Sequence, residues 1–375
     1  MEIIFSEKKA TGIITLNRPK ALNALNIEMA KEFSDKLQEW DLNDNIKRVL
    51  LVGEGNHFCA GGDVKSLFLT KNQNNHKKEF FKIEYQLNYL ISQFKKEYLS
   101  IWNGVVMGGG VGLSIYGDHR LATDNTKFAM PETSIGFFPD VGGSYFLSNL
   151  PKNVGKYIGL TGKLLEVNDL MFLGLATNYF KFDNLQSLKE NYVEKGIIAE
   201  EKFEIDYNSE VIKNIDLINS LFEGDIFKIF ENLKNNQSDF AKKTFETLNK
   251  KCPMSLAIST KLINDAKGKS LKECLETEYQ LSQNVVYRDD FDNGVNSVLV
   301  TKDHNPKWNP SKITEINIEE INPVKSVTTP PPKPMIKELL LHPFSIRTLI
   351  IRCASLSVLP ASFSSMHKMS SANRK

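Results

Sequence analysis

A chain of 375 residues with 41% apolar and 10% aromatic content is long enough for two or so compact units and can bury a sizeable core. Its formal charge of +2 gives no reason to expect nucleic acid as the main partner. No uninterrupted apolar run reaches the roughly 18 residues a membrane span needs, so no membrane partner is expected either.

The segment Met1–Ala10 contains Glu2 and Glu7 and no apolar stretch, unlike a secretory signal. Gly12–Leu16 reads as a short strand ended by Asn17-Arg18-Pro19. Asn26 is placed to cap a helix whose apolar face is Met29, Phe33, Leu37 and Trp40, at helical spacing. The continuous apolar run Arg48–Val52 predicts a strand covered on both faces, stopping at Gly53-Glu54-Gly55. Ile83, Leu87, Leu90, Ile91 and Phe94 mark one face of a further helix, and Tyr98–Met107 reads as a single strand running into Gly108-Gly109-Gly110. Beyond Thr161 the pattern turns mainly helical, and Asp206–Asn284 is almost all amphipathic helix.

The expected organisation is therefore an α/β core over 1–200 and a helical region over 201–312. A stiff linker follows over 313–335, with Pro323, Pro330-Pro331-Pro332 and Pro334. The tail 336–375, free of Asp and Glu from His342 onward, is expected to be disordered; its composition is that of a mitochondrial presequence at the wrong end of the chain. Cys59, Cys252, Cys274 and Cys353 form no CxxC pair and fit neither a zinc site nor a disulfide framework, so free thiols in a reducing interior are expected. None of the six histidines forms a ligand pattern, and no metal is expected.

Two loops carry candidate chemistry. His57-Phe58-Cys59-Ala60-Gly61-Gly62-Asp63 is a strand exit with adjacent glycines, and Met107-Gly108-Gly109-Gly110-Val111-Gly112 turns a strand into a helix. Glycine lets amide N–H groups converge with no Cβ in the way, and a helix start adds free donors. Together these are the parts of an oxyanion hole. Neither loop has Walker-A spacing or GxGxxG, which disfavours nucleotide phosphate binding of those types. Glu132 and Asp140 each follow a proline within apolar sequence, Phe128-Ala129-Met130-Pro131-Glu132 and Phe137-Phe138-Pro139-Asp140-Val141-Gly142-Gly143. Partial desolvation of such carboxylates prepares a general base or nucleophile. Asp140 ahead of a helical run also reads as an ordinary N-cap.

Taken together, these segments resemble the crotonase (enoyl-CoA hydratase/isomerase) superfamily and, within it, the branch that hydrolyses 3-hydroxyisobutyryl-CoA. The resemblance also includes Gly12–Pro19, Ala21–Leu25, Phe128–Thr133 and a late block with Asp289-Asp290-Phe291, Gly294-Val295, Lys302-Asp303 and Pro306-Lys307-Trp308, and so covers about residues 1–312. It implies an α/β fold, a crotonase-like spiral of ββα units with a C-terminal α-helical region. It further implies that Gly62 and Gly109 form the oxyanion hole, that Glu132 and Asp140 are catalytic, and that Glu84, Gly109, Glu132 and Asp140 contact substrate. Coenzyme A, part of the substrate and not a cofactor, would lie along Ala24 and Leu25. Hydratases of the superfamily carry a first glutamate where this chain has Gly112, which favours thioester hydrolysis over hydration. Glu84 alternatively reads as an exposed helix carboxylate. The branch works in valine catabolism, usually in mitochondria, with cytoplasmic and peroxisomal locations as alternatives. A homo-oligomer, another acyl-CoA substrate and a structural role in mitochondrial ribosomes stay open.

Overall fold

The strand expected at Gly12–Leu16 is the second of the chain, since Ile3–Lys8 already forms one. In the computed structural model, which describes residues 1–70, 76–198, 201–317 and 321, β1 (Ile3–Lys8) and β2 (Thr11–Leu16) form a hairpin. The chain then crosses through α1 (Ile27–Leu42) to β3 (Arg48–Gly53), which pairs parallel to β2. Helix α1 forms as its spacing predicts: the Asn26 side chain accepts from the Met29 N–H at 2.9 Å, and Met29, Phe33, Leu37 and Trp40 are buried. Val49, Leu50, Leu51 and Val52 are all buried, as a doubly covered parallel strand requires.

The next two helices are α2 (Val64–Leu69) and α3 (His76–Ser92). Behind them come β4 (Glu97–Trp102), β5 (Val105–Met107), the short α4 (Gly109–Gly112), β6 (His119–Ala122), β7 (Lys127–Ala129) and β8 (Asn178–Tyr179). The large sheet has six strands in the order β1-β2-β3-β4-β6-β8, parallel except at β1, while β5 and β7 form a separate parallel pair. The single strand expected over Tyr98–Met107 is thus two strands in two sheets. The break falls at Gly104, whose φ of +60° and whose contact with the Asn56 carbonyl leave no room for a side chain.

Helix α3 also departs from its apolar pattern. Ile83 and Leu90 are only half-buried, whereas Glu84, Tyr85 and Asn88 are buried. After Tyr179 the described residues contain helices and no further strand. Among these, Pro253–Ala266 packs on α5 (Gly143–Ser148), and Leu271–Val285 packs on both α3 and α5. The described residues fall within one compact unit. From residue 322 onward the expected linker and tail, with Cys353, lie outside the described residues. Cys59, Cys252 and Cys274 are free and buried.

Candidate active site

The two glycine loops meet. Bridges pair Cys59 with Val106 and Leu25 with Gly62, which lays the first loop against the end of β5. A Cβ built on Gly109 would stand 2.9 Å from the Gly62 nitrogen, and one built on Gly61 would stand 3.6 Å from the Gly109 nitrogen. The loops can pass this closely only because neither carries side chains there. Among the described residues, the N–H groups of Gly62 and Gly109 have no hydrogen-bond acceptor. Both glycines line the same cavity.

Three carboxyl groups line the same cavity: Glu84, Glu132 and Asp140. Glu84 is 1% exposed, and Glu132 and Asp140 are 5% exposed. Among the described residues, Glu84 Oε1 and Glu132 Oε2 have no hydrogen-bond partner. Glu84 Oε1 lies 2.4 Å from the Cβ position of Gly109, and Glu132 Oε1 lies 2.9 Å from that of Gly108. Burial, then the negative charges of Asp140 and Glu132, hold the Glu84 carboxyl well above its ordinary pKa. Glu132 is raised well above its ordinary value by burial and then by Asp140, against a smaller opposing pull from Lys251. Burial raises Asp140 to about 7, opposed by the Tyr85 hydroxyl, which donates to Asp140 Oδ2 at 2.9 Å. Glu84 is therefore not the exposed helix carboxylate that its sequence position allowed.

Nor is Asp140 an N-cap. Helix α5 starts at Gly143 with Gly142 as its cap residue. The donors at its start are taken from far away in sequence: Glu278, fully buried on Leu271–Val285, accepts from Gly142 N–H at 2.7 Å, Ser144 N–H at 2.9 Å and Ser144 Oγ at 2.5 Å. Between cap and carboxylate, Val141 sits at φ +54°, a strained conformation for a β-branched residue. The Tyr116 hydroxyl fixes its carbonyl at 2.7 Å. Glu278→Ala is expected to release this turn, lowering kcat by about 10–100-fold while KM moves less than about threefold, with Glu278→Gln intermediate. Steady-state kinetics beside thermal melts test this; an unchanged kcat in a folded Glu278→Ala protein contradicts it.

Lys251 is a second group without a local sequence signal. Its Nζ donates to Ser134 Oγ at 2.7 Å beneath the Glu132 turn, and burial lowers its pKa to about 8. The Gly112 position is filled from outside: a Cβ there would fall 2.6 Å from Val141 Cβ and 2.7 Å from Asn88 Nδ2, so no glutamate fits without rearrangement. Ala24 is half-buried, and its carbonyl accepts from the Arg18 guanidinium at 2.7 Å. Leu25 is fully buried, its N–H donating to the Gly61 carbonyl at 2.8 Å. His57 Nδ1 accepts from the Val105 N–H at 3.2 Å, a structural contact. Cys59 offers no nucleophile, since burial pushes its thiol up to about 12.

A parallel sheet with a smaller sheet beside it, and paired glycine amides facing buried carboxyls, define a protein of the crotonase fold. The sequence profile of the enoyl-CoA hydratase/isomerase family matches residues 11–324, and the chain belongs to that family. It is 37% identical over 337 residues to the mitochondrial 3-hydroxyisobutyryl-CoA hydrolase of Homo sapiens, covering 86% of this chain and 87% of that protein. The Xenopus laevis protein of the same name is 39% identical over 340 residues, covering 85% and 87%. Among solved structures, a carnitinyl-CoA dehydratase from Mycobacterium thermoresistibile superposes with a TM-score of 0.82 at 31% identity, covering 88% of this chain and 98% of that one.

Proposed function

We propose that this protein hydrolyses a short 3-hydroxyacyl-CoA thioester, with 3-hydroxyisobutyryl-CoA as the substrate, releasing CoA and 3-hydroxyisobutyrate. The observation that carries the reading is the meeting in one cavity of three buried carboxyls with two glycine amides that find no acceptor among the described residues. The relatives named as 3-hydroxyisobutyryl-CoA hydrolases support the choice of reaction and substrate. Their names also support a mitochondrial setting; a place in valine breakdown rests on the family resemblance.

In this reading the thioester carbonyl oxygen lies between the N–H groups of Gly62 and Gly109, whose donors each contribute about 3–4 kcal/mol to the oxyanion. The CoA moiety runs past Ala24 and Leu25. Ionised Glu132 either attacks the carbonyl carbon or takes a proton from the attacking water. Collapse of the tetrahedral species breaks the C–S bond; the departing thiolate takes back the proton that Glu132 drew from water on the general-base route, or a proton from Asp140 on the attack route. On the attack route, the product is an anhydride that water then opens. Asp140, aimed by Tyr85, orients the 3-hydroxyl or the water and moves protons. Glu84, pushed toward its protonated form by burial and then by Asp140 and Glu132, offers a hydrogen bond to substrate.

The test is free-thiol release from 3-hydroxyisobutyryl-CoA, with crotonyl-CoA hydration followed alongside. Rapid CoA release without hydration is the expected result. Hydration without thiol release makes the protein a hydratase, and neither activity in folded protein overturns the enzymatic reading.

A further inference from the structure

Beside the carboxyls, the cavity is also lined by a segment from the far end of the described chain. The helix Asp289–Val295 runs into a π-helical turn, Asn296–Val300, in which the Thr301 N–H reaches back five residues to the Asn296 carbonyl at 2.8 Å. Such turns are rare and concentrate at functional sites. Two consecutive side chains of this turn, Val298 and Leu299, both line the cavity with Glu84, Glu132 and Asp140.

The turn is held on both sides. Its preceding helix presses on the Glu132 loop: a Cβ on Gly294 would fall 2.4 Å from the Ile135 carbonyl carbon, and one on Gly136 would fall 2.3 Å from the Asp290 oxygen. Lys77 of α3 donates to the Val286 carbonyl at 2.9 Å and to Asp292 at 2.8 Å, tying that helix to the one bearing Glu84. On the other side, Ser297 hydrogen-bonds Asp303, and the Asn305 N–H donates to Ser297 Oγ at 2.8 Å. A wall fixed in this way selects by shape.

Chemically, the cavity has two halves. The carboxyls face the carbonyl and any hydroxyl near it. The rest of its described lining, including Ile135, Phe137, Val298 and Leu299, is apolar apart from Ser134, which Lys251 already engages. A second charge at the end of the acyl chain has no partner there.

We propose that Val298 and Leu299 determine specificity, setting how long an acyl chain the site accepts and confining it to short, otherwise apolar 3-hydroxyacyl groups. This rests on the acyl-CoA reading above. One methylene more or less in an apolar pocket changes discrimination by about 10–200-fold. Leu299→Ala and Val298→Ala are therefore expected to raise the preference for six-carbon over four-carbon acyl groups by about tenfold or more, and Leu299→Trp to lower it.

The experiment measures kcat/KM for 3-hydroxybutyryl-CoA and 3-hydroxyhexanoyl-CoA, and calorimetric binding of the uncleavable thioethers S-butyl-CoA and S-hexyl-CoA, in wild type and the three variants. A six-to-four-carbon ratio that moves in opposite directions for the alanine and tryptophan variants supports the wall. Ratios unchanged across the variants that melt as wild type does overturn it. Should wild type cleave no thioester, the catalytic reading fails while the thioether ratios still decide the wall. Failure of any one variant to fold leaves the other two to give the sign.

Discussion

Glu132→Gln is expected to reduce thiol release by about 10³-fold while leaving S-butyl-CoA binding within about threefold of wild type. Glutamine keeps the shape of the side chain and its packing, so the fold is not at risk. What it removes is the charge and basicity that the proposed mechanism asks of Glu132. That carboxyl stands beside Gly108, 5% exposed, with one oxygen unpaired among the described residues. A buried oxygen without a partner is costly to maintain, and it is the state expected of a group waiting for its reactant. Burial and then Asp140 make Glu132 more basic than a surface carboxylate, with Lys251 a small opposing influence. Single-turnover thiol release measured beside thioether binding separates chemistry from affinity. A variant that retains more than a tenth of the wild-type rate would show that Glu132 neither attacks nor activates water.

The parts of the site that were legible in the sequence are those where local sequence carries the cause. Adjacent glycines at 61–62 and 108–110 announce close backbone approach, and the carboxylates at 132 and 140 stand out because apolar residues surround them. The strand Arg48–Val52 and helix α1 were legible because period and burial coincide. Other parts depend on long-range packing. Glu84 and Asn88 lie on the buried face of α3, but an apolar count draws the face through Ile83 and Leu90 instead. Tyr85, Lys251, Glu278 and Val298 reach the site from segments whose own sequence says only "helix". The division of Tyr98–Met107 into two sheets hangs on Gly104 alone, within an otherwise continuous β-forming run. The glutamate missing at Gly112 was legible only through the family resemblance; Val141 and Asn88, which fill its place, were visible only in three dimensions.

Asp140→Asn is expected to slow turnover by about 10²-fold, to move the acid limb of the pH profile to lower pH, and to raise the melting temperature. The rate falls because a hydrogen-bonding amide replaces a group that can move protons. The limb moves because, after burial, the charge of Asp140 is the largest influence raising Glu132; without it, Glu132 ionises at lower pH. Stability changes for the same electrostatic reason. Folding raises Asp140 from the ordinary value of roughly 3.9 to about 7. Between those values the native state keeps a proton that the unfolded chain has released, so the wild-type protein loses stability as pH climbs through that window. Asparagine carries no such penalty and still accepts from Tyr85. The melting-temperature gap between variant and wild type should thus be small at pH 4 and grow to its full size above pH 7. Kinetics from pH 5 to 9 and melts from pH 4 to 8 read both effects on the same two proteins. An acid limb that stays put would mean that Asp140 and Glu132 do not sense each other's charge. A melting gap of the opposite sign would mean that the Tyr85–Asp140 hydrogen bond outweighs the cost of burying the charge. The two measurements share one cause, the crowding of carboxyls around the glycine amides, so that cause predicts a slower enzyme that is also a more stable protein.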